Sequence, residues 1–170
     1  RRSRKSSWSR RLVSENNLSP NDFILPIFLI EGKNKTQPIK SMPGVNRYSI
    51  NRLGTILDRA IKNRIPMVAL FPYTSPKLKD HLGSEALNED NLVCRATKYI
   101  KNKYKNQIGI MCDVALDPYT IHGHDGILKS NDIINDETVE ILIKQSLLQA
   151  QMGCDVLAPS DMMDGRIGKI

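Results

Sequence analysis

A chain of 170 residues, 40% of them hydrophobic, is long enough to build one ordinary domain around its own core. No apolar run approaches the roughly 18 residues that cross a bilayer, which excludes a membrane-spanning helix, and the first residues hold no apolar secretory segment. The net charge of +7 is local: Arg1, Arg2, Arg4, Lys5, Arg10 and Arg11 crowd the start with no acid among them, and Lys98, Lys101, Lys103 and Lys105 form a second cluster. A nucleic-acid protein would join such charge to a reading helix or stacking aromatics, yet aromatics are 5% of this chain and Trp8 sits in the basic arm. Neither nucleic acid nor membrane is therefore expected as a partner. Cys94, Cys112 and Cys154 are odd in number and widely spaced, which fits no disulfide framework or metal-ligand spacing and points to a reducing, cytoplasmic setting.

In chain order, residues 1–21 read as a basic arm, and residues 22–170 as alternating strands and helices. Residues 23–30 are an apolar run of strand length, although Pro26 removes one ladder donor. Residues 50–63 carry Leu53, Ile56, Leu57, Ala60 and Ile61 at the spacing of one buried helical stripe. A short strand over 66–71 follows, then a helix over 89–104 with Leu92, Val93, Ala96 and Ile100 inward and Glu89 and Asp90 in its first turn. The third strand spans 108–116. The next helix opens at Asn135 and carries Val139, Leu142, Ile143, Leu147 and Ala150 to a stop at Gly153, before a fourth strand over 154–159. Mostly apolar strands alternating with helices imply a parallel sheet in an α/β fold. The joints from helix to strand are tight, whereas Pro72 to Asn88 and Asp117 to Ile134 are long and polar. Long loops at the C-terminal side of a parallel sheet mark the working face of a (β/α)₈ barrel or a doubly wound sheet. No strand leads into a glycine-rich dinucleotide fingerprint, which weakens the second option. Four units are too few for a barrel of about 250 residues, so the chain reads as roughly half of a (β/α)₈ TIM barrel. The chain opens on Arg1 rather than Met and stops at Ile170 just past a strand-to-helix transition, so both ends are expected to be cut.

The residues from Asp113 to Gly126 carry the chemistry. Three carboxylates, two imidazoles, a phenol and two glycines stand in fourteen positions directly after the apolar run 108–112. Strand alternation puts Asp113, Ala115 and Asp117 on one face and Val114 and Leu116 on the other. Asp-Pro and Asp-Gly are ordinary turn formers and could simply close a loop. Asp113, however, stands inside an otherwise apolar strand, where an unpaired charge is costly to bury, so a functional cluster is the better reading.

These residues, with Ser41–Val45, Val68–Pro72, Lys79-Asp80, Gly83–Ala86, Asn135–Glu140 and Ala158–Arg166, resemble the 5-aminolevulinate dehydratase (porphobilinogen synthase) family along essentially the whole chain. The resemblance implies a complete (β/α)₈ barrel, of which this chain is the first half preceded by its basic arm. It further implies a hydro-lyase that condenses two molecules of 5-aminolevulinate into porphobilinogen with loss of two waters, on the route to haem and other tetrapyrroles. Two Schiff-base lysines of that family lie on later strands; Lys129, Lys144 and Lys169 do not match their motifs. What the resemblance leaves here is the polar half of the site: Asp117 and Asp125 as the catalytic groups facing the second substrate, and Asp113 and Ser160 as substrate-binding groups. A positioned base within hydrogen-bond reach is what carbanion formation beside a Schiff base requires. His122, His124 and Tyr119 are read as structural. The basic arm resembles the one that embraces a neighbouring subunit in the family's homo-octamer.

Some family members hold an active-site zinc through three cysteines. The matching positions here are Ala115, Asp117 and Asp125, and Cys112, of opposite strand parity to Asp113, should face the helices. Zinc favours thiolate and imidazole, whereas carboxylate and water suit magnesium. The expectation is an enzyme without active-site zinc, resembling an aspartate-rich branch with allosteric magnesium whose ligands lie beyond this chain. A non-catalytic remnant or interaction module that keeps half a barrel is the rival reading, and a metal-dependent hydrolase using Asp113 and Asp117 is a weaker enzyme alternative.

Overall fold

The computed structural model describes residues 2–170; Arg1 of the basic arm lies outside them. Eight strands run in chain order as β1 (Ile24–Ile30), β2 (Thr36–Pro38), β3 (Asn46–Tyr48), β4 (Met67–Tyr73), β5 (Gly109–Val114), β6 (Ile127–Lys129), β7 (Asp132–Ile134) and β8 (Val156–Pro159). The α-helices are α1 (Ser7–Leu12), α2 (Leu53–Lys62), α3 (Leu92–Tyr104), α4 (Asn135–Gln151) and α5 (Arg166–Lys169).

β1, β4, β5 and β8 lie side by side in that order, each pair parallel. The sheet therefore matches the first half of a TIM barrel, as the alternation of elements implied. Two features went unread in the sequence: β3 adds a parallel edge beside β1 with β2 antiparallel outside it, and β6 and β7 form a hairpin within the long loop before α4. Both are three-residue strands, too short for a periodic pattern.

The sheet's two faces differ. Ile27 and Leu29 of β1, Val68 and Leu70 of β4, and Ile110 and Cys112 of β5 are fully or almost fully buried against Leu53, Leu57 and Ala60 of α2 and Val93, Ala96 and Ile100 of α3. Cys112 thus faces the helices, its Sγ 3.5 Å from Thr97 Oγ1. On the inner face Phe28 and Phe71, opposite each other in the β1–β4 register, stack with ring centroids 5.7 Å apart.

Two helices differ from the expectation, one in its start and one in its buried face. α3 begins at Leu92, because Asn91 accepts the Cys94 N–H at 2.8 Å and caps it; Glu89 and Asp90 precede the helix instead of lying in its first turn. On α4 the buried stripe runs through Thr138, Val139, Leu142, Gln145, Ser146, Leu148 and Gln149, whereas Leu147 is 59% exposed and Ala150 faces solvent. Two glutamines take places that apolar residues were expected to hold, because their amides reach the end of β5. The helix stops where Gly153 adopts φ +99°, and a Cβ there would crowd Lys101. Lys101 in turn pairs with Asp155, tying α3 to the entrance of β8.

Candidate active site

The strand ends assemble the site. Odd-numbered residues of β5 face inward, since Ile110 and Cys112 face the helices. Asp113 lies opposite Ala158, so Ser160, two residues further along, points to the same side. Its hydroxyl donates to Asp113 Oδ1 at 2.6 Å. Burial pushes the Asp113 carboxyl above the usual carboxylate range; the Ser160 hydroxyl pulls it back, and the charges of Asp161 and Asp125 add to the rise.

Asp117 arrives differently from the way strand alternation implied. The ladder ends at Val114, and the N–H groups of Tyr119 and Thr120 both donate to Leu116 O, at 2.8 and 3.0 Å, closing a turn. That turn, not strand parity, carries Asp117 back beside Asp113, and Ala115 is buried rather than lining an open face. Asp117 as a residue is exposed, yet the protein around its carboxyl strips enough water to raise its pKa, with Asp113 and Asp125 adding like-charge repulsion and Lys79 opposing it.

Asp125 comes from the long loop, where packing fixes the backbone. The Ile127 N–H donates to Thr138 Oγ1 at 2.9 Å, and that hydroxyl donates to Ile134 O at 2.6 Å. A Cβ on Gly126 would stand 2.6 Å from Ile133 Cγ2, so only glycine lets the loop lie this close to β7 and α4. On the other side, Thr120 donates to His124 O at 2.8 Å, and the His124 N–H donates to His122 Nδ1 at 3.2 Å. The second bond puts the His122 proton on Nε2, which faces His81 O at 3.4 Å. His124 Nδ1 lies 3.6 Å from Asp125 Oδ1, an ion-pair distance when the ring is protonated. Tyr119 is buried, and its phenol is pushed up by that burial.

Sequence reasoning gave no role to four supporting residues. Gln149 donates to Asp113 O at 2.8 Å and Gln145 to Ala115 O at 3.1 Å, both from buried positions on α4. Polar residues at i and i+4 on an apolar helical face were the readable sign. Asp161 is buried after β8, accepts the Met163 N–H at 2.7 Å and lies 2.9 Å from Arg166 Nε, at an angle that makes the contact an ion pair more than a hydrogen bond. Lys79 donates to Asp117 O at 3.4 Å from the loop after β4.

The donor set at the family's zinc positions is one alanine and two carboxylates. Burial raises the Cys94 thiol to about 11; Cys94 sits on α3, packed against Leu148 of α4 and Met152 just beyond it, and Cys112 lies beneath the helices. Among the described residues no three His, Cys, Asp or Glu side chains are arranged to hold a metal. These residues do not fit a zinc–thiolate centre. An apolar pocket of about 340 Å³ beside β1, β3 and α2, lined by Leu25, Phe28, Tyr48, Ile56 and Ile65 among others, shares no residue with this cluster.

A parallel α/β half-barrel that gathers three carboxylates and a serine at the C-terminal strand ends is the scaffold of a barrel enzyme. The chain belongs to the delta-aminolevulinic acid dehydratase family, whose model matches residues 1–170. It is 55% identical over 170 residues to the delta-aminolevulinic acid dehydratase of Bradyrhizobium diazoefficiens, covering 100% of this chain and 48% of that protein. The Chlamydia pneumoniae enzyme of the same name is 44% identical over 170 residues, with 51% of its length covered, and the chloroplastic one of Pisum sativum 46% over 168 residues, with 41% covered. Among solved structures, the delta-aminolevulinic acid dehydratase (porphobilinogen synthase) of Toxoplasma gondii ME49, in complex with the reaction product porphobilinogen, superposes with a TM-score of 0.94 at 40% identity, over 100% of this chain and 48% of that one. The chain thus spans about half the length of the relatives it matches.

Proposed function

We propose that this chain supplies the carboxylate half of a porphobilinogen synthase, a hydro-lyase that condenses two molecules of 5-aminolevulinate with loss of two waters. The observation that carries the reading is the convergence of Asp113, Asp117, Asp125 and Ser160 at the strand ends of a family member. Asp117 and Asp125 are the proton-transfer groups, and Asp113 with Ser160 holds the polar end of the second substrate. An acid–base group needs a pKa near working pH, and burial moves Asp117 in that direction. The Schiff-base lysines of this reading are not Lys129, Lys144 or Lys169: Lys129 is engaged by both oxygens of Glu137, at 2.6 and 2.7 Å, and Lys144 and Lys169 are exposed.

The finer parts of the proposal rest on chemistry. Carboxylates at Asp117 and Asp125 in place of thiolates support a site without zinc, and the resemblance to the aspartate-rich branch extends the proposal to magnesium acting at an allosteric site outside this chain. The arm supports assembly into a homo-octamer: α1 and its flanks expose Trp8, Leu12, Val13 and Leu18, a patch that a neighbouring subunit would cover. No helix of the described residues is long and apolar enough to cross a membrane, and a cytoplasmic location is part of the same reading.

Incubating the whole protein with 5-aminolevulinate tests this. Porphobilinogen should form, with magnesium raising the rate and zinc-selective chelators leaving it unchanged. Borohydride reduction in the presence of substrate should trap no adduct on a lysine of residues 1–170. A protein with a native fold that forms no pyrrole would favour the non-catalytic reading.

A further inference from the structure

The loop from Thr74 to Asn91, between β4 and α3, is bolted to the site chiefly through Asp80. Asp80 donates its N–H to Tyr119 O at 3.3 Å and accepts the Ile121 N–H at 3.0 Å, forming a parallel bridge with Thr120. Its Oδ1 also accepts the N–H groups of Leu82 and Ser84, at 2.9 and 3.0 Å, which locks the loop on the far side and holds the carboxyl below its ordinary value. On the near side, a short turn over Pro76–Leu78, capped by Ser75, leads straight into Lys79. The backbone on either side of Lys79 is therefore fixed, and its ammonium reaches the Asp117 carbonyl at 3.4 Å.

The groups facing Asp117 give that ammonium its meaning. Asp113 at the end of β5 and Asp125 from the following loop press on Asp117 as like charges, and Lys79 is the opposing cation. Ser160 and buried Asp161 stand behind Asp113, His124 beside Asp125, and Arg166 is taken up by Asp161. A general base must still be ionised to accept a proton, so the rise that burial and two carboxylates impose on Asp117 serves the reaction only while a cation holds it in check.

We propose that Lys79 is a positioning residue for the reaction: its ammonium, hydrogen-bonded to the backbone of Asp117, supplies the positive charge beside the three-carboxylate cluster. It acts through Asp117, which takes and returns the proton, and Lys79 itself touches no reacting atom. The inference rests on the porphobilinogen synthase reading for its kinetic consequence and on geometry for its electrostatic one.

Two variants of the whole protein separate charge from packing. Lys79→Met keeps the apolar stem and deletes the charge, whereas Lys79→Arg keeps the charge. The expected outcome for Lys79→Met is a kcat lowered roughly tenfold, the scale of one lost charge contact at a partly buried site, with KM little changed. Lys79→Arg should recover most of that loss, and both should melt as the parent does. A second readout needs no turnover: in protein labelled with carboxyl-¹³C aspartate, with Asp117→Asn assigning the resonance, the Asp117 titration midpoint should lie higher in Lys79→Met than in the parent. An unmoved midpoint overturns the inference even if the parent proves inactive. An active parent with Lys79→Met at full kcat, or Met and Arg variants impaired alike, overturns it while leaving the porphobilinogen synthase reading intact.

Discussion

The two faces of the sheet are built for different ends. On the outer face Ile27, Leu29, Val68 and Cys112 are wholly buried beneath α2 and α3. The inner face leaves Ile24 and Tyr73 at 45% and 47% exposure and ends in Asp113. The outer face is where folding free energy accumulates, because it removes apolar surface from water. The C-terminal end of the inner face gathers carboxyls that are partly desolvated and crowded together, which opposes stability and, on the proposed reading, serves proton transfer. One strand, β5, contributes to both through simple alternation, so stability and chemistry sit one residue apart.

That contrast can be broken from either side. The largest stability effect belongs to the outer face: Leu70→Ala should cost about 2–5 kcal/mol of unfolding free energy, read by denaturant titration, with the carboxylate geometry retained. The contacts joining the faces come next. Gln149→Leu strips the amide from the partly buried carbonyl of Asp113, at about 1–3 kcal/mol, and should lower kcat as well because the strand end loosens. Gly126→Ala forces a methyl against Ile133 and should cost a similar roughly 1–3 kcal/mol of overpacking, with kcat falling more than KM rises as Asp125 is displaced.

The smallest effect has a diagnostic sign. Asp113 and Asp117 have folded-state pKa values raised mainly by burial, so the folded chain holds their protons more tightly than the unfolded one. Their contribution is present at low pH and is lost as pH rises from the unfolded value of about 3.9 through the folded one. Asp113→Asn and Asp117→Asn should therefore raise the unfolding midpoint at neutral pH, and the advantage should vanish in acid. Stability measured across pH checks this; a neutral-pH loss in Asp117→Asn would mean that its carboxylate is paired, not strained.

The sequence displayed the outer face almost completely. The stripes of α2 and α3 and the four apolar runs of the parallel sheet follow from periodicity, because burial on one side leaves a regular pattern. The inner face was legible in part. Asp113 was conspicuous as a charge in an apolar strand, but Asp117 reaches the cluster through a turn after Leu116 that alternation does not describe. α4 was misread because Gln145 and Gln149 occupy a buried face for their hydrogen bonds, which displaced the expected apolar stripe onto exposed Leu147. Lys79 stood in a matching block without a role, since its partner lies 38 residues away and the link depends on the Asp80 bridge.

The central claim is that the three-carboxylate cluster is the proton-transfer half of a porphobilinogen-forming site. Its most direct test is the steady-state rate of porphobilinogen formation by whole protein carrying Asp125→Ala, with native folding verified by circular dichroism. The account predicts a kcat lower by about 10²–10⁴-fold, the range of a lost general acid–base group. A folded Asp125→Ala protein that turns over at the parent rate would contradict it.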